Sequence, residues 1–262
     1  MDIQKLFSLE GRVALVTGGS RNIGAWIAET FIAAGAKVYI SSRKADQCFA
    51  MAEQLGPNCI ALPQDVSTVA GCRALAAQFA EHESKLDILV NNAGAAWGAP
   101  LDEFPESGWD KVMDLNVKSP FFLVQALHGA LKAAASAERP AKVINISSID
   151  GQRLNPWEHY SYQASKAAVI MLTKKLAAHL VREHIYVTSI GPGAFPSEMN
   201  KAARDHSDAV AKGIPARRVG RPEDMGAAAL YLASAAGDYV IGHTLNVDGG
   251  LVSAEFGGSI DA

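Results

Sequence analysis

Residues 13–24 read VALVTGGSRNIG, an apolar run that passes through a glycine-rich turn into a helical pattern. The run at 13–16 is continuously apolar, which is typical of a strand buried on both faces of a parallel sheet. The glycines let the backbone turn sharply and come close to a ligand. The first N–H groups of a helix and its dipole attract anions, so this stretch predicts a phosphate-binding turn between a strand and a helix.

The rest of the chain continues the alternation of strands and helices. Apolar, β-branched runs predict strands at 12–17, 37–41, 59–64, 86–91, 142–147, 184–190 and 243–247. Alanine-rich patterns predict helices at 22–34, 45–55, 68–82, 119–135, 160–182 and 222–235. This order predicts an α/β fold with a parallel sheet covered on both faces. A barrel alternates in the same way, but the glycine-rich turn favours an open, doubly wound sheet.

No linker or low-complexity segment divides the chain, so we expect a single domain over residues 1–262. The stretch at about 191–221 shows no clear strand or long helix, and we interpret it as a substrate loop. A net charge of −3 offers no basic field for nucleic acid. Charges interrupt every apolar run before about 18 residues, so we expect no membrane span. The mixed charges of the N-terminus argue against a signal peptide.

The cysteines and histidines give no sign of a disulfide or a metal site. Cys48, Cys59 and Cys72 are widely spaced and form no C-x-x-C pair. We therefore expect reduced thiols in a cytoplasmic protein. The seven histidines are scattered without the spacing of metal ligands, so we expect no bound metal.

Asn22 stands in the turn where another glycine would be usual. Asparagine tolerates left-handed backbone better than most residues, so we expect the cradle to survive this substitution. The predicted cofactor contacts of the turn are Gly18, Ser20, Arg21, Asn22, Ile23 and Gly24. Two alternatives remain open at this point. The turn is purely structural, or Gly18-x-Ser20-x-Asn22 is a degenerate hydrolase nucleophile elbow, which normally has a glycine at the last position.

The residues after the second predicted strand indicate which dinucleotide is bound. An acidic residue in this region usually holds the ribose 2′-OH of NAD, whereas arginine pairs with the 2′-phosphate of NADP. Ser42 and Arg43 occupy the region here, and Arg21 is placed to converge on the same phosphate. The sequence therefore favours NADP(H). The competing interpretation is that Arg43 only solvates a helix start, and Asp46 lies close enough to weaken the argument.

The stretch YSYQASK at 160–166 carries the predicted chemistry. Tyr162 and Lys166 are four residues apart and so share one helix face. A phenol is a poor acid–base group at neutral pH, and we expect the ammonium and a nicotinamide cation to lower the pKa of Tyr162. Ser148 follows the fifth strand, where its hydroxyl is placed to polarise a carbonyl. Tyr160 is rejected as the acid because Ala164 lies four residues after it.

Taken together, these motifs resemble the classical short-chain dehydrogenase/reductase family. The resemblance rests on T-G-x-x-x-N-x-G, QDVS, NNAG, S-x-x-G, Y-x-x-x-K, GPG (191–193), GRPEDM (220–225) and NVDGG (246–250), and it covers about residues 9–251. It implies a Rossmann fold with a seven-stranded sheet of order 3-2-1-4-5-6-7, and often a homotetramer, with a homodimer as the alternative. The likeness is greatest to NADPH-dependent β-ketoacyl reductases of the rhamnolipid-pathway type, through LDILVNNAGAAWGAPL, GPGAFPSEM and the 14-residue step from Ser148 to Tyr162.

The same resemblance implies roles for further residues. It implies that Asn116 joins Ser148, Tyr162 and Lys166 in catalysis and supports a water-linked proton path. It implies cofactor contacts, in addition to Tyr162 and Lys166, at Asp65, Val66, Asn91, Ala93, Gly94, Pro192, Gly193 and Ser197. Ser148, rather than Ser147, is chosen because it begins the S-x-x-G that matches the family.

Residues after strand ends and in the loop at 191–221 are candidates for the substrate pocket. They are Trp97, Asp150, Trp157, His159, Phe195 and Met199. Most of these side chains are aromatic or apolar, which predicts a roomy, mostly apolar pocket. Asp150 argues against a substrate that carries a large anionic group close to its carbonyl. We expect NADPH-dependent reduction of bulky or varied ketones, reversible as alcohol oxidation. The alternatives are a 3-oxoacyl thioester reductase and a non-catalytic NADP-binding regulator.

Overall fold

A parallel sheet of seven strands, in the order β3-β2-β1-β4-β5-β6-β7, forms the centre of the molecule. The computed structural model describes residues 1–254, so residues 255–262 of the predicted domain lie outside the described residues. The strands are β1 Val13–Thr17, β2 Lys37–Ser41, β3 Cys59–Ala61, β4 Ile88–Asn91, β5 Ala141–Ile146, β6 Ile185–Pro192 and β7 Thr244–Val247. The predicted fold class and strand order are confirmed.

Helices cover both faces of this sheet. They are α1 Ile3–Phe7, α2 Asn22–Ala33, α3 Ala45–Leu55, α4 Val69–Ala80, α5 Glu106–Met113, α6 Ser119–Ala134, α7 Tyr160–Leu180, α8 Lys201–Asp205, α9 Ser207–Lys212 and α10 Pro222–Ala233. A π-helical segment, Asp114–Lys118, joins α5 to α6. Thr68 caps α4 by accepting a hydrogen bond from Gly71 N at 3.0 Å, which satisfies one of the free N–H groups of the first turn.

Strand β1 shows why the apolar runs are continuous. Ala14 and Val16 belong to one buried cluster with Ile27 and Phe31 of α2. Leu15 points to the opposite face and belongs to a second cluster with Phe79 of α4. Successive side chains of a strand alternate between faces, so a strand with a core on each side has no polar position. Each fully buried phenylalanine contributes about 2–3 kcal/mol of transfer free energy.

The structure departs from the sequence prediction in the short elements. The third strand ends at Ala61, earlier than predicted. Helices α1 and α5 were not predicted, and the loop at 191–221 contains α8 and α9. These helices have five to eight residues. Helices this short are too brief to show a clear 3.6-residue periodicity and depend on tertiary packing for their stability.

The strand order places the site. Strand β1 pairs with β2 on one side and with β4 on the other, so the chain reverses its direction of winding between β1 and β4. Ligands of open α/β sheets bind outside the carboxyl ends of the strands at this reversal. The loops after β1, β2, β4, β5 and β6 all open into one cavity there, and its volume is about 1030 Å³.

Candidate active site

The turn between β1 and α2 has the backbone shape of an anion cradle. Gly18 has φ 64° and Asn22 has φ 48°, so both lie in the left-handed region. Asparagine adopts this region more readily than most side chains, which accounts for its presence at the start of α2. Among the residues that the structure describes, no side chain caps the N-terminus of α2. Its free N–H groups and the positive end of its dipole therefore face the cavity, where a pyrophosphate fits.

Two glycines of the turn are required by close packing. A Cβ at Gly24 would lie 2.3 Å from the carbonyl oxygen of Gly18. A Cβ at Gly18 would lie 2.8 Å from Asn92 Nδ2. Any larger residue at either position would push the turn away from the end of β4, so the backbone here comes as near to the cavity as sterics permit.

Asn92, which the sequence analysis did not single out, ties this turn to β4. Its Nδ2 donates to the carbonyl oxygens of Thr17 and Gly18 at 2.9 and 3.1 Å. In return, Thr17 Oγ1 accepts from the backbone N–H groups of Asn92 and Ala93, both at 3.1 Å. The NNAG motif was the available signal, but a sequence does not tell which of two adjacent asparagines faces the turn.

Asn91 requires a correction. We expected it beside the cofactor, but its buried side chain lies inside the sheet and does not line the cavity. Asn91 Nδ2 donates to Asn145 Oδ1 at 2.8 Å, and Asn145 Nδ2 donates to Thr173 Oγ1 at 2.9 Å. Strand β5 thus supplies the acceptor for Asn91 Nδ2, and helix α7 supplies the acceptor for Asn145 Nδ2. Asn91 therefore braces the sheet behind the site.

The end of the cavity beyond β2 is positively charged. Arg21, Ser42, Arg43 and Lys44 line it, whereas Asp46 does not. Both arginines are exposed, which leaves their guanidinium groups accessible to a ligand. Asp65 and Val66 line the wall after β3. Guanidinium groups pair strongly with phosphate, so this end fits an adenosine ribose that carries a 2′-phosphate.

The predicted acid and its lysine lie together at the middle of the cavity. Tyr162 and Lys166 lie one turn apart on α7, with Lys166 Nζ 5.5 Å from the centre of the Tyr162 ring. Lys166 is 6% exposed, and its Nζ donates to the carbonyl oxygen of Ile146 at 2.8 Å. Ser148, at the end of β5, lines the same wall. The phenol, the ammonium and the hydroxyl therefore converge on one region of the cavity.

In the protein alone the pKa of Tyr162 lies above its usual value, whereas the lowered value was expected beside both the ammonium and a nicotinamide cation. Burial raises the pKa of Tyr162 to about 12, the nearby hydroxyl of Ser148 lowers it, and the charge of Asp150 raises it further. Burial also lowers the pKa of Lys166 to about 8, while Asp150 opposes this change. Desolvation disfavours both charged forms. In the protein alone it outweighs the effect of the neighbouring groups, so the phenol holds its proton at neutral pH.

Asn116 sits behind this group in the π-helical segment. Its Oδ1 accepts from Ala95 N at 2.8 Å, and its Nδ2 donates to Ala95 O and Ser165 Oγ, both at 2.9 Å. Ser165 Oγ in turn donates to Tyr162 O at 2.7 Å. Asn116 is 2% exposed and does not line the cavity. Its side chain therefore joins the loop after β4 to helix α7.

The other predicted residues lie where the loops of the carboxyl edge meet. Ala93 and Gly94 line the wall after β4, and Pro192, Gly193 and Ser197 line the wall after β6. Five of the six predicted pocket residues also line the cavity, namely Asp150, Trp157, His159, Phe195 and Met199. Further lining residues were missed, and Arg153 and Asn155 are two of them. They lie in the irregular segment between β5 and α7, where no periodicity indicates orientation.

Trp97 is the exception among the predicted pocket residues. Its ring lies so close to Gly108 that a Cβ there would be 2.7 Å from the indole. Lys111 Nζ lies 5.0 Å from the ring centre. The indole therefore packs on α5 and does not line the cavity, because the small Gly108 leaves a recess for it there.

Phe195 also has a structural part. It is 3% exposed, and its ring centre lies 6.2 Å from that of Trp26 on α2. It forms a wall between the loop after β6 and the cofactor-side helix.

Within residues 1–254, no group of histidine, cysteine and acidic side chains is arranged to hold a metal ion. Nor is any helix in that range both long and apolar enough to cross a bilayer.

Comparison with known proteins agrees with this geometry. The family model described as enoyl-(acyl carrier protein) reductase matches residues 18–252. A rhamnolipids biosynthesis 3-oxoacyl-(acyl-carrier-protein) reductase of Pseudomonas aeruginosa is 48% identical over 249 residues, which cover 93% of this chain and 97% of that protein. These matches extend over nearly the whole chain, including every strand from β2 to β7.

Solved structures give the same result. The NADP active-site complex of RhlG from Pseudomonas aeruginosa matches with a TM-score of 0.91 at 48% identity, over 94% of this chain and 98% of that chain. A gluconate 5-dehydrogenase from Burkholderia cenocepacia, in complex with NADP and tartrate, matches with a TM-score of 0.89 at 37% identity, over 97% and 100% of the two chains. The chain therefore belongs to the short-chain dehydrogenase/reductase family of oxidoreductases.

Proposed function

We propose that this chain is an NADPH-dependent reductase that converts a ketone to a secondary alcohol, with 3-oxoacyl thioesters as its preferred ketones. One observation carries the proposal. Tyr162, Ser148 and Lys166 converge on one cavity whose far end holds Arg21 and Arg43. The 48% identical relative named for reduction of 3-oxoacyl groups supports the thioester. The reverse reaction oxidises the alcohol.

The cofactor assignment rests on the turn and on the basic end of the cavity. The uncapped N-terminus of α2 suits the pyrophosphate. Arg21 and Arg43 suit a 2′-phosphate, and no acidic side chain from the start of α3 lines the cavity beside them. A carboxylate in this place would repel the phosphate and select NAD instead. Complexes with NADP in two similar structures support the choice.

The residues of the central group have separate tasks. NADPH, when bound, supplies the hydride for the carbonyl carbon. Ser148 donates a hydrogen bond to the carbonyl oxygen, and Tyr162 transfers its phenolic proton to that oxygen. Burial raises the pKa of Tyr162 to about 12, so this proton is present throughout the neutral range. Lys166 uses one N–H on Ile146 O and has two left for the hydroxyls of the nicotinamide ribose.

A broader ketone reductase is the second candidate. Trp157 and Met199 line the cavity and remain 60% and 52% exposed, so a bulky substituent has open apolar surface to cover. The two candidates differ in what they predict for acetoacetyl-CoA and a bulky aryl ketone. A thioester reductase has the higher kcat/KM with acetoacetyl-CoA, and a broad reductase has the higher kcat/KM with the aryl ketone.

A non-catalytic NADP-binding regulator is the candidate of another class. It has no use for a phenol, an ammonium and a hydroxyl converging on one cavity. Under that proposal Tyr162→Phe would leave the function of the protein unchanged, whereas the reductase proposal requires the loss of ketone reduction. The intact set of three groups supports the reductase.

The assembly and location extend the proposal. We place the protein in the cytoplasm as one domain over 1–262 that forms a homotetramer, or a homodimer. Its three cysteines are buried and unpaired, as suits a reducing compartment. Large apolar side chains are exposed on α5, α6 and α7, which supports association through these helices; they are Trp109, Phe121, Tyr160 and Met171. Light scattering after gel filtration measures the mass directly.

The test of the proposed function is a set of initial rates with NADPH and with NADH. Acetoacetyl-CoA, a bulky aryl ketone and 5-ketogluconate are the three substrates. We expect the highest kcat/KM with NADPH and acetoacetyl-CoA. Equal or faster rates with NADH would overturn the role of Arg43. Reduction of 5-ketogluconate alone would mean that the preferred substrate is a sugar acid and not a thioester.

A further inference from the structure

Asp150 occupies an unusual position for a negative charge. It follows β5 in the short 3-10 turn Ile149–Gly151, and its backbone N–H donates to Ser148 Oγ at 3.1 Å. It lines the same cavity as Tyr162 and Lys166. The hydrogen bond to Ser148 fixes the start of the turn, so the carboxylate is held two residues from the hydroxyl that orients the substrate.

The charge of this carboxylate acts on the ammonium of Lys166, but it is not matched by a close ion pair within residues 1–254. No ion pair of Asp150 is present among residues 1–254. The nearest cationic candidate on the same loop is Arg153, which lines the cavity and donates to the carbonyl oxygen of Leu251 at 2.9 Å. The negative charge is felt at the catalytic groups, because Asp150 raises the pKa of both Tyr162 and Lys166.

We infer that Asp150 is a specificity-determining residue, which makes the site accept neutral ketones and reject ketones that carry a carboxylate within a few bonds of the carbonyl. A carboxylate bound there would face a like charge in a partly desolvated cavity, where two charges about 6 Å apart repel strongly. Thioesters and esters have no such charge. The inference rests on the proposed function in one respect only, namely that a ketone is reduced beside Tyr162.

The repulsion has a measurable size. At an effective dielectric constant of about 20, the repulsion corresponds to a discrimination of about tenfold to a hundredfold. A protein can discriminate between two substrates by placing a group that repels the rejected one. We therefore expect removal of the charge to raise the rate with the acid relative to the rate with its ester, because any effect of Asp150 on Tyr162 and Lys166 acts on both substrates alike.

The test compares 4-oxopentanoate with its ethyl ester, two ketones of one carbon skeleton that differ by a single charge. Values of kcat/KM with NADPH are measured for the wild type, for Asp150→Asn and for Glu158→Gln. Glu158 is an exposed acid on the same segment that contacts Tyr160 at 3.3 Å and does not line the cavity. Its variant therefore removes an equal charge from the same region without changing the pocket wall.

In the wild type we expect the ester to exceed the acid by at least about tenfold in kcat/KM. Asp150→Asn should reduce this ratio by at least about fivefold, and Glu158→Gln should leave it within about twofold. An unchanged ratio in Asp150→Asn would overturn the inference. So would loss of both activities in Asp150→Asn and in Asp150→Ser with NADPH still bound, since Asp150 would then be a general requirement.

The outcome is separable from that of the proposed function. If the wild type reduces the ester and not acetoacetyl-CoA, the thioester proposal fails while the test of Asp150 still runs on the ester and the acid. If the wild type reduces acetoacetyl-CoA but shows no preference for the ester over the acid, the inference about Asp150 fails and the proposed function stands.

Discussion

Two buried lysines lie at opposite ends of the interior strand β5, and their surroundings differ. Lys142, near the start of the strand, is 2% exposed, and its Nζ lies 2.6 Å from Asp238 Oδ1. Lys166, on α7, is 6% exposed and donates to the carbonyl oxygen of Ile146 at the other end of the strand. Each ammonium also lies near a tyrosine ring, 5.2 Å from Tyr186 for Lys142 and 5.5 Å from Tyr162 for Lys166.

The difference lies in the counter-charge. Burial lowers the pKa of Lys142, while the hydrogen bond and charge of Asp238 oppose that change. Burial lowers the pKa of Lys166 to about 8, and only the more distant Asp150 opposes it. A buried ion is costly unless it is paired. Lys142 is therefore compensated within the fold, whereas the charge of Lys166 is left to act on whatever enters the cavity.

The counter-charge distinguishes a structural lysine from a functional one. Both are buried, both touch a tyrosine and both lie at an end of the same strand. Only the paired lysine has its charge neutralised by the protein itself. Unpaired buried charges are tolerated chiefly at functional sites. We therefore expect substitutions at Lys166 and Tyr162 to affect activity, and substitutions at Lys142 and Tyr186 to leave activity intact.

The largest effect is expected from the tyrosines. Tyr162→Phe removes the proton donor, and the rate of ketone reduction should fall at least about a thousandfold, because no other group replaces it. NADPH binding, followed by cofactor fluorescence, should persist. Tyr186→Phe is the matched control at the other lysine and should retain reduction within about twofold. Comparable losses of ketone reduction in both variants would show that the two lysine–tyrosine pairs do not differ in function.

The next largest difference is expected between variants of the two lysines, one of which should lose activity and the other stability. Lys166→Met should lower kcat/KM by about a hundredfold and leave the fold intact. Lys142→Met should keep activity and lower the free energy of unfolding by about 2 kcal/mol, because it leaves Asp238 without its partner. This value is moderate since the Asp238 side chain is 35% exposed. Urea denaturation measures it, and the double variant Lys142→Met/Asp238→Asn should recover part of the loss.

The pH dependence of the free energy of unfolding tests whether the Lys166 ammonium is desolvated in the folded protein. The folded chain holds this proton with a pKa of about 8, below the usual 10.5. Between these values the unfolded chain binds more protons, so the contribution of Lys166 to stability rises with pH. Lys166→Met lacks this contribution. The variant should exceed the wild type in stability at pH 7, and that excess should shrink by at most about 3 kcal/mol between pH 8 and pH 10.5.

Urea titrations of the two proteins at pH 7, 8, 9 and 10 provide the measurement. Tyr162 and Lys142 titrate in both proteins, so their contributions cancel in the difference. A difference that stays constant across this range would show that the Lys166 ammonium is not desolvated in the folded protein.

The smallest effects concern the turn. Gly18→Ala should weaken NADPH binding by about tenfold, because its Cβ would lie 2.8 Å from Asn92 Nδ2 and the backbone has φ 64°. Asn22→Gly should change the affinity by less than about tenfold, because asparagine already adopts φ 48° there. Fluorescence titration with NADPH measures both. An improvement of more than tenfold in Asn22→Gly would mean that the asparagine strains the cradle.

The sequence was a good guide wherever chemistry follows from spacing along one element. The four-residue step from Tyr162 to Lys166 places both on one face of α7, whatever the rest of the fold does. The continuous apolar runs likewise required a sheet with a core on each side. The position of Ser148 at a carboxyl edge followed from the end of the strand before it.

Spacing in the sequence did not predict the orientation of a side chain where a residue from another segment of the chain determines it. Asn91 and Asn92 are adjacent, yet one braces the sheet and the other ties the turn. Trp97 faces Gly108, a contact that depends on how α5 packs. The raised pKa of Tyr162 reflects the removal of water from around the phenol, and the amount of water that remains around a side chain cannot be read from its neighbours in sequence.

Local geometry and residue type were enough to specify the alternation of strands and helices, the glycine-rich cradle and the identity of the groups that carry protons. Only the tertiary structure decided which groups share a cavity, which buried charge is paired and how strongly each proton is held. Those properties are set by distances between segments far apart in the chain and by the water that folding removes from between them.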